Sequence, residues 1–201
     1  MRSIWSQRIS RGQIVTSNSI NSNALSKEEV VARLKELGIQ FGEPEVAYWI
    51  FIEAKYERYI RKAANKIWTL PMSNHGTSLI KPGDKALIYI SSQEVNRLNR
   101  SVIGIVTLAS SFRRPDDKQK SQIQLWHSND DEDHRPENVL IADIADAKQY
   151  PYNLQLNQFR KRLPSFQGKS WAKVNSMLRR TPLKITEFDC LIAEQFGLTG
   201  Q

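Results

Sequence analysis

Val46-Ala47-Tyr48-Trp49-Ile50-Phe51-Ile52 is an uncharged run dominated by β-branched and aromatic side chains, set behind the chain breakers Gly42 and Pro44. Such a run predicts a buried strand, and its alternation sends one of Tyr48 and Trp49 inward; Trp49 reads as core. Just beyond it, Tyr56, Tyr59, Ile60, Ala63, Ala64 and Ile67 recur at helical spacing. Lys55, Arg58, Arg61, Lys62 and Lys66 fall mostly off that face, which predicts an amphipathic helix with a basic back. Trp68 follows at the junction of this helix with a loop, before Thr69-Leu70-Pro71. Ser73 to Ser78 has loop composition, and Lys81-Pro82-Gly83-Asp84 is a turn feeding a strand over Ala86 to Ile90. Val102 to Ala109 and Val139 to Ile144 predict further strands, and Ile123 to Trp126 a weaker one.

Outward from this centre, residues 1–25 are rich in Ser and Asn, lack periodicity and predict a flexible tail. Ser26-Lys27-Glu28-Glu29 has the form of a capping box, and Val30, Val31, Leu34 and Leu37 supply a stripe ending at Gly38. Residues 26–45 thus read as a helix and linker, and 46–201 as the domain. Toward its end, Leu154 to Leu163 and Trp171 to Leu178 predict helices, Leu183 to Ile185 a short strand, and Thr186 the cap of a last helix to Phe196. Several short strands with few helices predict an α+β fold, a small curved sheet or barrel with flanking helices.

The 201 residues are 40% hydrophobic and 25% charged with five Trp, a globular composition that excludes wholesale disorder. The longest apolar stretches are too short to span a membrane, and a lone Cys190 forms no internal disulfide and reads as a packing residue. A soluble, cytoplasmic protein is expected. From Ala147 to Thr186 the chain carries nine Lys or Arg and no acid, which exceeds the whole net charge of +8. A one-sign field so confined raises the local concentration of polyanions and predicts a nucleic-acid partner.

Four pieces keep one order: Ala47-Tyr48-Trp49-Ile50-Phe51-Ile52, Lys66-Ile67-Trp68-Thr69-Leu70-Pro71, Lys81-Pro82-Gly83-Asp84 leading into Ala86-Leu87-Ile88-Tyr89, and Val102-Ile103-Gly104-Ile105-Val106. That order resembles the EVE domain and its relative the YTH domain, both PUA-like. The resemblance implies a pocket that takes one modified base, N6-methyladenine in YTH domains, turned out of its strand between aromatic walls. Trp68 matches one wall, and Thr69 would meet the base edge through its backbone or hydroxyl. The second wall is sought among Phe159, Phe166 and Trp171 in the acid-free basic region and the earlier Trp126, with Phe159 or Phe166 favoured. Glu53 and Ala54 stand where YTH domains carry a polar Ser-Asn pair that contacts the base. Arg160, Lys161, Arg162, Arg179 and Arg180, with Asn74 after Trp68, are the expected backbone contacts.

The expectation is therefore a binding module without cofactor, metal or covalent chemistry, with DNA favoured over RNA and a restriction or defence protein as a further partner. One alternative is an RNA-binding PUA-like module with no modified-base selectivity. The other is a metal-dependent nuclease built on His127 and His134, or on Asp116-Asp117-Lys118 in a polar loop. The sequence contains no P-loop, GxSxG or CxxC motif.

Overall fold

A computed structural model describes residues 26–38, 46–91, 100–126, 135–179 and 182–200. The expected tail, His127, His134 and Arg180 lie outside the described residues. The order of elements is α1 (Lys27–Glu36), β1 (Tyr48–Glu53), α2 (Tyr56–Ala64), β2 (Ile67–Pro71), β3 (Lys85–Ile90), β4 (Ser101–Leu108), α3 (Asp117–Gln124), β5 (Val139–Gln155), α4 (Leu156–Phe159), α5 (Trp171–Leu178), β6 (Leu183–Ile185) and α6 (Glu187–Thr199).

The strands form one six-stranded sheet in the order β2-β5-β4-β3-β1-β6, with β1 and β3 parallel and the other pairs antiparallel. β5 runs for 17 residues; its first part pairs with β2 and the remainder with β4. The β4–β5 register shifts between Val102 and Gly104 and between Thr107 and Leu108, irregularities of the kind that bend strands and sharpen twist. Three strands separate β1 from β2, yet the Phe51 and Trp68 rings lie 5.4 Å apart, so the sheet curls into a half-barrel. Gly104 permits the closest approach: a Cβ there would strike the Lys148 carbonyl.

Alternation sorts the side chains into two cores. Trp49, Phe51, Ala86, Ile88 and Ile90 point into the half-barrel with Trp68 and Tyr59. Tyr48, Ile50, Leu87 and Tyr89 point to the other face, where α4, α5, α6 and a 3-10 turn over Pro164–Phe166 cover them through Phe159, Val174, Cys190 and Phe166. The expected turn is a lock. Asp84, 1% exposed, accepts from Trp49 Nε1 at 2.9 Å, Ala47 N at 3.0 Å and Lys81 N at 3.0 Å. The Ser26 and Thr186 capping boxes both form, and Val30 and Leu34 of α1 pack on Leu191 of α6.

Three expectations are corrected. Ile123 to Trp126 is not a strand: Asp116 and Gln119 cap one another reciprocally and start α3, which carries Ile123 into a small core. The Asp116-Asp117-Lys118 segment is this helix start, with Asp117 paired to Lys120, rather than a loop cluster. Leu154 to Leu163 is not one helix, because β5 keeps its ladder with β4 to Gln155 before α4 and a 3-10 turn over Arg160–Arg162.

Candidate functional site

Trp68 lies within strand β2, not at a helix-to-loop junction. α2 stops at Ala64, Lys66 takes a left-handed turn with φ 53°, and Ile67 to Pro71 pair with Val139 to Asp143 of β5. The indole is 0% exposed, and its Nε1 has no hydrogen-bond partner among the described residues. One neighbour is Phe51, tilted 33° to it. The other is a charge. Lys62, three residues after Tyr59 and so on the same side of α2, turns inward with it. The Lys62 ammonium stands 4.7 Å from the Trp68 ring centroid, donates to the Thr69 carbonyl at 3.1 Å and lies 2.5 Å from Glu53 Oε2.

Glu53 ends β1 on the same face as Trp49 and Phe51, and its Oε1 accepts from Ala54 N at 2.8 Å. Burial pushes the Glu53 carboxyl up, but the Lys62 ammonium beside it, aided by the Ala54 N–H and by Arg58, holds it below its ordinary value. Lys62 and Glu53, each 2% exposed, thus form an enclosed ion pair beside an indole. A lysine amine so placed combines a cation–π contact, an ion pair and a carbonyl hydrogen bond.

At the same end of the sheet, on its opposite face, is an open cleft of about 380 Å³. Ile52, Tyr89 and Ser91 at the ends of β1 and β3, Arg100 just before β4, Asn175 and Leu178 of α5 and Arg179 just after it line the cleft. Arg100 is held in the left-handed region at φ 54°, an unusual conformation for a side chain of its size. Two guanidinium forks with Ser and Asn donors suit phosphate oxygens.

The structure separates the expected aromatic walls. Phe159 and Phe166 belong to the core on the far face of the sheet from Trp68 and are corrected as cage walls; the Phe159 ring lies 4.8 Å from that of Phe196, tilted 52° to it. Trp126 packs beside Ile67 and Ile141, and strand alternation puts Ile67 on the other face of β2 from Trp68, so it is no wall either. The same alternation turns the Thr69 hydroxyl, buried and unpartnered, away from the indole, leaving its carbonyl as the atom that meets the ring's neighbour.

Of the expected backbone contacts, Arg179 is exposed and lines the cleft. Arg160 is half-buried and donates to the Lys169 carbonyl, Arg162 lies 5.9 Å from the Phe159 ring, and Lys161 is exposed; none of the three lines the cleft. Asn74 is half-buried in the turn after β2, its N–H donating to Pro71 O. Sequence reading missed Lys62, Glu53 as its partner, and Arg100. The Tyr59-to-Lys62 spacing was a signal for the first; nothing local marks the last. Among the described residues no group of three His, Cys, Asp or Glu is placed to hold a metal, and no helix is long and apolar enough to cross a membrane.

Comparison with known proteins agrees with this architecture. The Pho92 YTH domain in complex with m6A is 13% identical, with a TM-score of 0.51 over 80% of this chain and 92% of that one. The YTH domain of the Zygosaccharomyces rouxii MRB1 protein, in complex with N6-methyladenosine RNA, is 12% identical, with a TM-score of 0.50 over 81% and 94%. A protein from Leishmania major is 13% identical, with a TM-score of 0.50 over 76% and 95%. At such identities the likeness is one of fold, a PUA-like α+β half-barrel. No curated protein matches the chain. The family profile described as EVE domain matches residues 47–194, from the first residue before β1 into α6, and on that span the chain belongs to the EVE domain family.

Proposed function

We propose that the chain is a nucleic-acid reader, a binding module without covalent chemistry, which receives one modified base turned out of its strand onto Trp68. Neighbouring phosphates would lie along the cleft held by Arg100 and Arg179. The observation that carries this reading is what covers the indole. Its face meets an ammonium as well as packed hydrocarbon, with the Thr69 carbonyl accepting at the same place. An aromatic plane with an acceptor at its edge is what a stacked base with an exocyclic N–H requires.

Lys62 closes the site in this conformation, so the base must displace it. The Lys62 side chain is 2% exposed, so its withdrawal on a four-carbon stem has to open the packing around it. Uncovering Glu53 costs about 3–5 kcal/mol, and stacking one base returns about 1–3 kcal/mol, so phosphate contacts and the chemistry of the base must supply the remainder. EVE membership and the fold shared with two YTH domains solved with methylated adenosine support the reading. N6-methyladenine in DNA, and a restriction or defence partner, are the finer form taken from the resemblance.

Matched methylated and unmodified DNA and RNA oligonucleotides, titrated by fluorescence anisotropy, test it. A preference for the modified strand is expected. It should vanish in Trp68→Leu, which keeps an apolar core residue but no π face, provided far-UV dichroism shows an intact fold. Equal affinity in both methylation states would favour the second reading, an RNA-binding module working through the open cleft alone, to which the sealed indole and the cleft arginines lend support.

A further inference from the structure

We infer that the base accepted at Trp68 is one made cationic by methylation of a ring nitrogen, such as 7-methylguanine, 1-methyladenine or 3-methylcytosine, rather than a neutral methylated base. This rests on the reader reading above and names its ligand class. Three groups converge on the place Lys62 holds: the Trp68 face, the Glu53 carboxylate and the Thr69 carbonyl. Each favours a positive charge or an N–H donor. Glu53 is enclosed, and with Lys62 withdrawn only the half-exposed Arg58, nearby on α2, would oppose its charge.

A neutral base on the indole leaves that carboxylate buried without its partner. A cationic methylated base restores what Lys62 supplied. Its delocalised charge stacks on the electron-rich face, its ring neutralises Glu53, and its exocyclic amine donates to Thr69 O. Lys62 thereby acts as an internal stand-in for the ligand, and displacement exchanges one cation for another at constant charge.

The test uses the full chain and DNA and RNA oligonucleotides carrying a single 7-methylguanine, 1-methyladenine or 3-methylcytosine, against N6-methyladenine, 5-methylcytosine and unmodified controls. At least one cationic base is expected to bind about tenfold more tightly than the neutral ones, the gain of a desolvated cation–π contact. Glu53→Gln, checked for fold by dichroism, should erase most of that preference, read as the ratio of cationic to neutral affinities within the variant. If a neutral methylated base is bound as tightly as the cationic ones, and tighter than unmodified strands, the charge inference falls and the reader reading stands. No discrimination among any of the strands ends both. A cationic preference that persists undiminished in Glu53→Gln also overturns the inference, because the carboxylate is its cause.

Discussion

Replacing Lys62 by Met retains a long unbranched side chain inside the half-barrel but removes the charge that lies 2.5 Å from Glu53. Both side chains of the pair are at most 2% exposed, so solvent cannot take over the missing partner. Deleting one member of such a pair costs about 3–5 kcal/mol, a large share of the roughly 5–15 kcal/mol that holds a domain together. Lys62→Met with Glu53→Gln should recover much of this. The amide still accepts from Ala54 N, and at worst one polar group is left unpaired, at about 1–3 kcal/mol.

Acidity gives the sharper reading. In the wild type the folded carboxyl of Glu53 sits below its unfolded value. Its contribution is complete above the ordinary carboxylate range and is lost as pH falls through the folded value. In Lys62→Met, burial is opposed only weakly, the folded value rises above the unfolded one, and protonation favours the folded state. The stability gap between the two proteins must then narrow as pH falls from about 7 toward 4.5. Urea unfolding followed by tryptophan fluorescence and dichroism, with unchanged m, measures the gap. A variant within about 1 kcal/mol of wild type at neutral pH, or a gap that acid leaves unchanged, would show that Lys62 does not compensate Glu53.

Other perturbations follow from the same geometry. Gly104→Ala forces a methyl onto the Lys148 carbonyl and should cost about 3 kcal/mol or prevent folding, seen as a lowered thermal midpoint. Asp84→Ala orphans the Trp49 indole and two backbone N–H groups, and a loss of about 3 kcal/mol with altered tryptophan emission is expected on denaturant titration. Arg100→Ala and Arg179→Ala, on opposite walls of the cleft, should each reduce the slope of log affinity against log salt by about 1 in nucleic-acid titrations, without changing base preference. Burial raises the Glu194 carboxyl despite Lys148, so its folded value lies above the unfolded one and acidification from neutral pH favours the fold through this group. Glu194→Gln should flatten that part of the stability-pH curve, as measured by thermal melts across the range.

Much of the scaffold was legible in local order. The capping residues Ser26 and Thr186, the uncharged run of β1, the Lys-Pro-Gly-Asp turn and helix α5 act over a few residues, and periodicity reports them without knowledge of neighbours. The position of Trp68 in the family order was legible too. Its environment was not. Which aromatic rings share a sheet face depends on pairing between segments far apart: Phe159 and Phe166 lie opposite Trp68 because β5 and β4 pair as they do and the helices after β5 cover the outer face. Lys62 read as solvated because a helical wheel ranks side chains by hydropathy, and hydropathy is silent about a carboxylate delivered from another element. Desolvating an ammonium is unfavourable for any local reading and becomes tolerable only where Glu53, the Thr69 carbonyl and an indole converge, a condition that chain folding alone creates. The sequence by itself thus determined most of the elements, the fold class and the basic character of residues 147–186, through short-range propensities and composition. Tertiary structure decided which charges are buried, which rings face one another and where the cleft opens, because those depend on long-range juxtaposition.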